Sequence, residues 1–138
     1  MRRWFWALAV MWTALLAEPI RPTAAEPPNP AIQTVISRQL EAFKKDDARA
    51  AFAIASPMIQ GMFGDATTFM TMVERGFQTI WRSQRHQFLN LDVIEGRFVQ
   101  RVLIDGRDGM TVVARYEMVE IDGQWRINSC TIEKGENA

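Results

Sequence analysis

The stretch Met110–Ile132, MTVVARYEMVEIDGQWRINSCTI, decides how the second half of the chain folds. Two runs in which apolar and polar side chains alternate flank Asp122-Gly123. Asp-Gly tolerates the positive φ angles of a two-residue hairpin turn, so the stretch reads as two antiparallel strands. Counting back from the turn sets Ile121 opposite Gln124, Glu120 opposite Trp125 and Met118 opposite Ile127. Tyr116 then falls opposite Ser129 and Arg115 opposite Cys130. One face carries Val112, Ala114, Tyr116, Met118, Trp125 and Ile127; the other carries Arg115, Glu117, Arg126, Asn128 and Cys130. The first is expected to meet the rest of the domain, the second to face solvent or a partner.

Upstream, QFLNLDV (87–93) and RFVQRVLI (97–104) alternate in the same way, with Glu95-Gly96 and the DGRDG loop (105–109) as turns. Four strands are therefore expected. Before them the apolar period lengthens to that of a helix. Ile32, Val35, Ile36, Leu40 and Phe43 share one face of a helix over Pro30–Lys44, with Asn29 as its cap and Pro30 at its first position. A second helix opens at Ala48 in ARAAFAIA and is expected to end at Ser56-Pro57, because the residue before proline is pushed out of the helical region. MIQGMFGD (58–65) reads as an irregular link. A third helix begins near Asp65 or Thr67, with Phe69, Met70, Val73, Phe77 and Ile80 as its apolar stripe. Helices first and an antiparallel sheet after them is an α+β domain: three N-terminal helices on a curved four-stranded sheet.

Lys44, Lys45, Asp46 and Asp47 fall at the joint between the first two helices. Lysines suit the end of one helix and aspartates the start of the next, so both pairs are explained by helix termini rather than by a catalytic carboxylate dyad.

The N-terminus reads as an export signal. A basic MRR start, the apolar run Trp4–Ala17 and the small residues Thr23-Ala24-Ala25 fit a signal peptide over residues 1–25, cleaved before Glu26. The apolar run falls short of the roughly 20 residues that cross a bilayer. The organisation expected is this leader, an extended lead-in at 26–30, the domain at 31–134 and a flexible tail at 135–138. A periplasmic or secreted address follows, with no membrane association after cleavage. The whole chain carries 16 basic and 16 acidic residues, and loss of Arg2, Arg3, Arg21 and Glu18 leaves a net charge of −2. No basic stripe offers itself to nucleic acid. Cys130 is the single cysteine, which leaves no internal disulfide and fits a small buried hydrophobe.

Chemistry-bearing patterns are sparse. The one histidine, His86, lies in the polar stretch RSQRHQ (82–87) and reads as a solvated loop residue. One histidine and one distant cysteine give no metal-ligand spacing, DGRDG lacks the ligands of a calcium loop, and no glycine-rich phosphate loop occurs. No metal and no cofactor are expected.

IQTVISRQLEAFKKDDARAAFAIASPMIQGMFG (32–64), FMTMVERGF (69–77) and GQWRINSC (123–130) resemble a bacterial family of unknown function in the cone-shaped nuclear transport factor 2-like superfamily. The likeness rests on Gln39 to Phe43, the acidic pair Asp46-Asp47 before Ala51 to Pro57, Gln60, Phe63-Gly64 and the strand Trp125 to Cys130. Phe77 stands where such proteins tend to carry tyrosine. The resemblance implies the cone fold and transfers no activity. Related isomerases pair a carboxylate with a tyrosine inside the cone, and here Tyr116 is the one tyrosine and Glu120 the nearest carboxylate on its face. Gln60, Arg82, Tyr116 and Trp125 are the candidate contacts for a ligand at a cavity mouth. The expectation is a non-catalytic module for a small molecule or a protein. The alternatives are an isomerase- or lyase-like enzyme using Tyr116, and a homodimer joined through Arg115, Glu117 and Cys130 of the outer sheet face.

Overall fold

A computed structural model describes residues 24–133. The leader expected at 1–25 thus lies outside the described residues except for Ala24 and Ala25, as does the tail at 135–138. The chain runs β1 (Ala24–Glu26), α1 (Pro30–Lys44), α2 (Ala48–Ala53), α3 (Pro57–Phe63), α4 (Ala66–Gly76) and α5 (Gln78–Trp81). The strands β2 (Ser83–Ile94), β3 (Arg97–Gly106), β4 (Thr111–Ile121) and β5 (Gln124–Ile132) follow. The five strands form one antiparallel sheet in chain order. The α+β class stands, with five helices and five strands among the described residues in place of three and four.

Each difference has a local cause. The extra strand comes from the lead-in, where Ala24–Glu26 pairs with Leu91–Val93 at the edge of β2. The extra helix α3 replaces the expected link: Pro57 occupies a first-turn position and Ser56 Oγ accepts from the Ile59 amide at 3.3 Å. Ser-Pro therefore starts a helix here as well as stopping one. The third expected helix is broken at Phe77, whose φ of −136° leaves the helical region and divides it into α4 and α5. Finally, β2 starts at Ser83, so His86 sits on a strand rather than in a loop. There Ser37 Oγ lies 3.3 Å from its Nε2, and its ring meets Phe88 edge-on.

The expected hairpin register holds from Ile121–Gln124 to Met118–Ile127 and then slips. A bulge at Asn128 sets Glu117 opposite Ser129, Tyr116 opposite Cys130 and Arg115 opposite Thr131. An extra residue in one strand turns everything beyond it to the other face. Cys130, expected on the outer face, is thereby brought to the inner one. The bulge lies next to a cross-link between layers. Ile127 N–H donates to Ile54 O at 3.0 Å, and its carbonyl accepts from Ser56 N–H at 2.8 Å. The junction of α2 and α3 thus covers part of the free edge of β5.

The core lies between the helices and the inner sheet face. Ile32, Ile36, Leu40 and Phe43 of α1 meet Val102, Ile104, Ala114, Tyr116 and Met118, and Phe69, Met70 and Val73 of α4 close the far side. Val112 and Trp125 are half-buried at its margin, as the alternation requires. Gln100 is a fully buried polar residue beside them. Its amide donates to Leu89 O at 3.0 Å, where the β2–β3 register shifts and the ladder cannot serve those carbonyls.

Candidate functional site

The helices do not fill the inner face of the sheet completely. Between α3, α4 and the bulged end of β5 lies a cavity of about 330 Å3. Its floor is Tyr116 and Ile127, its far wall Phe69 and Val73, and α3 contributes Met58, Ile59, Met62 and Phe63. Phe69 is the hub of the aromatic side, with ring centroids of Phe52, Phe63 and Phe43 at 5.5, 5.6 and 6.4 Å. Met58 and Met62 are more than half exposed, which places flexible, polarisable side chains at the rim.

The polar part of the wall is narrow: Gln39 of α1, and Asn128, Ser129 and Cys130 of the bulge beside Tyr116. Asn128 is tied on both sides, accepting from Ser56 Oγ at 2.8 Å and donating to Glu117 at 3.4 Å. Ser129 donates to the same Glu117 carboxylate at 3.3 Å. Tyr116 is different. It is fully buried, and its hydroxyl has no hydrogen-bond partner among the described residues. An orphan group of this kind costs about 1–3 kcal/mol. Its cross-strand neighbour Cys130 offers only a weakly accepting sulfur. Burial, and then the neighbouring thiol, push the Tyr116 hydroxyl well above the ordinary phenol value. Cys130 reaches the cavity, yet it sits deep enough in the domain for burial to push its thiol up to about 12. It stays protonated at neutral pH and is a poor nucleophile there.

Of the four residues expected to gather around a ligand, only Tyr116 lines this cavity. Gln60 on α3 turns its amide to Phe52 O and Ala55 O, at 3.0 and 3.2 Å, and closes the end of α2. Arg82 lies over the Trp81 ring at 3.6 Å and donates to Phe43 O and Asp46. Trp125 packs edge-on against Phe98 at 5.1 Å. Glu120 is exposed, opposite Trp125 near the hairpin turn, and no carboxylate stands among the cavity's lining residues. The acidic pair divides. Asp47 caps α2 through the Ala50 amide at 3.0 Å, whereas Asp46, at φ 53°, leaves the helix geometry to meet Arg82 at 2.7 Å.

Residues missed from sequence are Gln39, Asn128 and the α3 methionines. Gln39 occupies the helical face of Ile32, Ile36, Leu40 and Phe43, so its position in the α1 period was the available signal. The bulge that aims Asn128 and Cys130 depends on a contact from α2–α3, far away in sequence, and left no local mark. On the outer face, Arg101 grips Glu133 through two nitrogens at 2.7 and 2.9 Å, and Arg97 stands 3.8 Å from Glu117.

Among the described residues, helices fold over a meandering sheet and leave an apolar cavity between the layers. A family model described as a domain of unknown function (DUF4864) matches residues 25–138, and the chain belongs to that family. No curated protein and no solved structure matches it.

Proposed function

We propose that the domain binds a small, predominantly apolar molecule between α3, α4 and β5, without chemical conversion. The observation that carries this is the 330 Å3 cavity itself, apolar over most of its wall and rimmed by exposed methionines. Pockets of a few hundred Å3 with few polar groups are the usual form of small-molecule sites. The tyrosine–carboxylate alternative is less well supported, since Glu120 stands away from Tyr116's cavity and Cys130 is held protonated. The helix-and-meander arrangement around a cavity supports the nuclear transport factor 2-like reading of the fold. The basic and apolar N-terminus supports a binding role outside the cytoplasm.

Native mass spectrometry of the purified protein, followed by titration with the solvatochromic dye Nile red, tests the binding. A retained mass, or saturable dye binding lost at least tenfold in Val73→Phe while the circular dichroism stays native, is the expected result. The reading fails if the protein carries no added mass and the dye does not bind saturably.

A further inference from the structure

The polar wall of the cavity narrows the class of occupant, an inference that rests on the binding reading above. Three facts bear on it. The lining holds no lysine, arginine, histidine, aspartate or glutamate. Asn128 and Ser129 are already engaged with Ser56 and Glu117, so neither is free to lead recognition. Tyr116 keeps a buried hydroxyl with no partner, and buried Gln39 adds an amide from the opposite layer.

A carboxylate or ammonium group taken into such a site would lose its hydration without meeting an opposite charge, a strongly unfavourable exchange. An unpartnered hydroxyl instead favours a ligand oxygen that accepts its proton, because the bond removes an existing penalty. We propose that the occupant is an uncharged, mainly aliphatic molecule bearing one carbonyl-type oxygen, which accepts a hydrogen bond from the Tyr116 hydroxyl. Burial keeps the Tyr116 hydroxyl protonated across the neutral range, so it remains a donor.

Four probes of one chain length separate these claims: decane, 2-decanone, decanoate and decylamine, each displacing Nile red from the full chain at pH 7. 2-Decanone is expected to bind about tenfold tighter than decane, the ratio that corresponds to 1.4 kcal/mol. Decanoate and decylamine are each expected to bind at least tenfold more weakly than the ketone. In Tyr116→Phe the ketone falls to within about twofold of decane. Equal binding of ketone and decane by the native chain overturns the proposed hydrogen bond. Decanoate or decylamine matching the ketone overturns the uncharged class. If Nile red binds but no probe displaces it, the ligand class is wrong and the binding reading survives. If the dye does not bind either, the binding reading itself falls. The ranking on the native chain decides the matter even if Tyr116→Phe does not fold.

Discussion

Gly106 shows how much a single residue can fix. It ends β3 where α5 packs down, and a methyl group there would lie 2.5 Å from Asp108 Oδ1 and 2.7 Å from Thr79 Cγ2. Neither neighbour yields easily: the Thr79 hydroxyl donates to Asp108 at 2.8 Å, and the same carboxylate accepts the Met110 amide at 3.0 Å. Thr79 Cα is also only 3.0 Å away. Gly106→Ala should therefore cost about 1–3 kcal/mol, as overpacked sites do, measured by urea unfolding. An unchanged or improved midpoint would mean the α5–β3 contact relaxes freely. From sequence, this glycine read only as part of a turn. Its tight contact is with a helix more than twenty residues earlier, which local pattern does not reveal. Asp47, by contrast, was legible because capping is a local bond, while Asp46 was legible only as a helix-end residue. Its pairing with Arg82 crosses 36 positions.

Elements followed the sequence wherever their stabilisation is local. The span of α1 was fixed by Asn29, Pro30 and the apolar period, and the β4–β5 turn by Asp122-Gly123, with φ of 52° and 75°. What escaped was α3 and the bulge in β5, and these form one unit. Ser56 both caps α3 and donates to Asn128 at the bulge, and it is 1% exposed. Ser56→Ala removes both bonds and leaves Asn128 Oδ1 without its donor. The expected loss is about 1–2 kcal/mol, combining a lost cap with a half-buried acceptor left without its donor. Hydrogen exchange should also speed up at Ile59–Phe63 before the rest of the domain responds. Uniform acceleration would show instead that α3 is no separate unit. Because α3 supplies the rim methionines, the same substitution is expected to weaken Nile red binding.

At the scale of the whole molecule, the dependence of stability on pH follows from groups placed in different layers. Burial, and then the nearby Lys44, hold the His86 imidazole below its usual value, with Glu41 acting the other way. A base whose folded pKa is depressed binds fewer protons than it does unfolded. Its contribution is present above the ordinary value of 6.5 and is lost as pH falls below it. Glu133, held low first by its bond from Arg101, adds a loss that begins further down, below its ordinary 4.5. The alkaline side has the opposite sign. Cys130 is pushed up to about 12 from 9.0, and Tyr116 is raised above 10.0, so the folded state keeps protons that the unfolded chain releases. The Cys130 contribution is full below about pH 9 and should then fall by about 1.4 kcal/mol per pH unit. Urea midpoints between pH 5 and 11 should thus form a plateau from near 6.5 to near 9. Cys130→Ala should move the alkaline decline up toward pH 10, where Tyr116 takes over. The native thiol should also alkylate at pH 9 at least about a hundredfold more slowly than in urea, because almost none of it is thiolate. A native thiol that alkylates as fast as the unfolded one would place Cys130 on the outer face. It would remove the bulge, the inward turn of β5 and the polar wall of the cavity together.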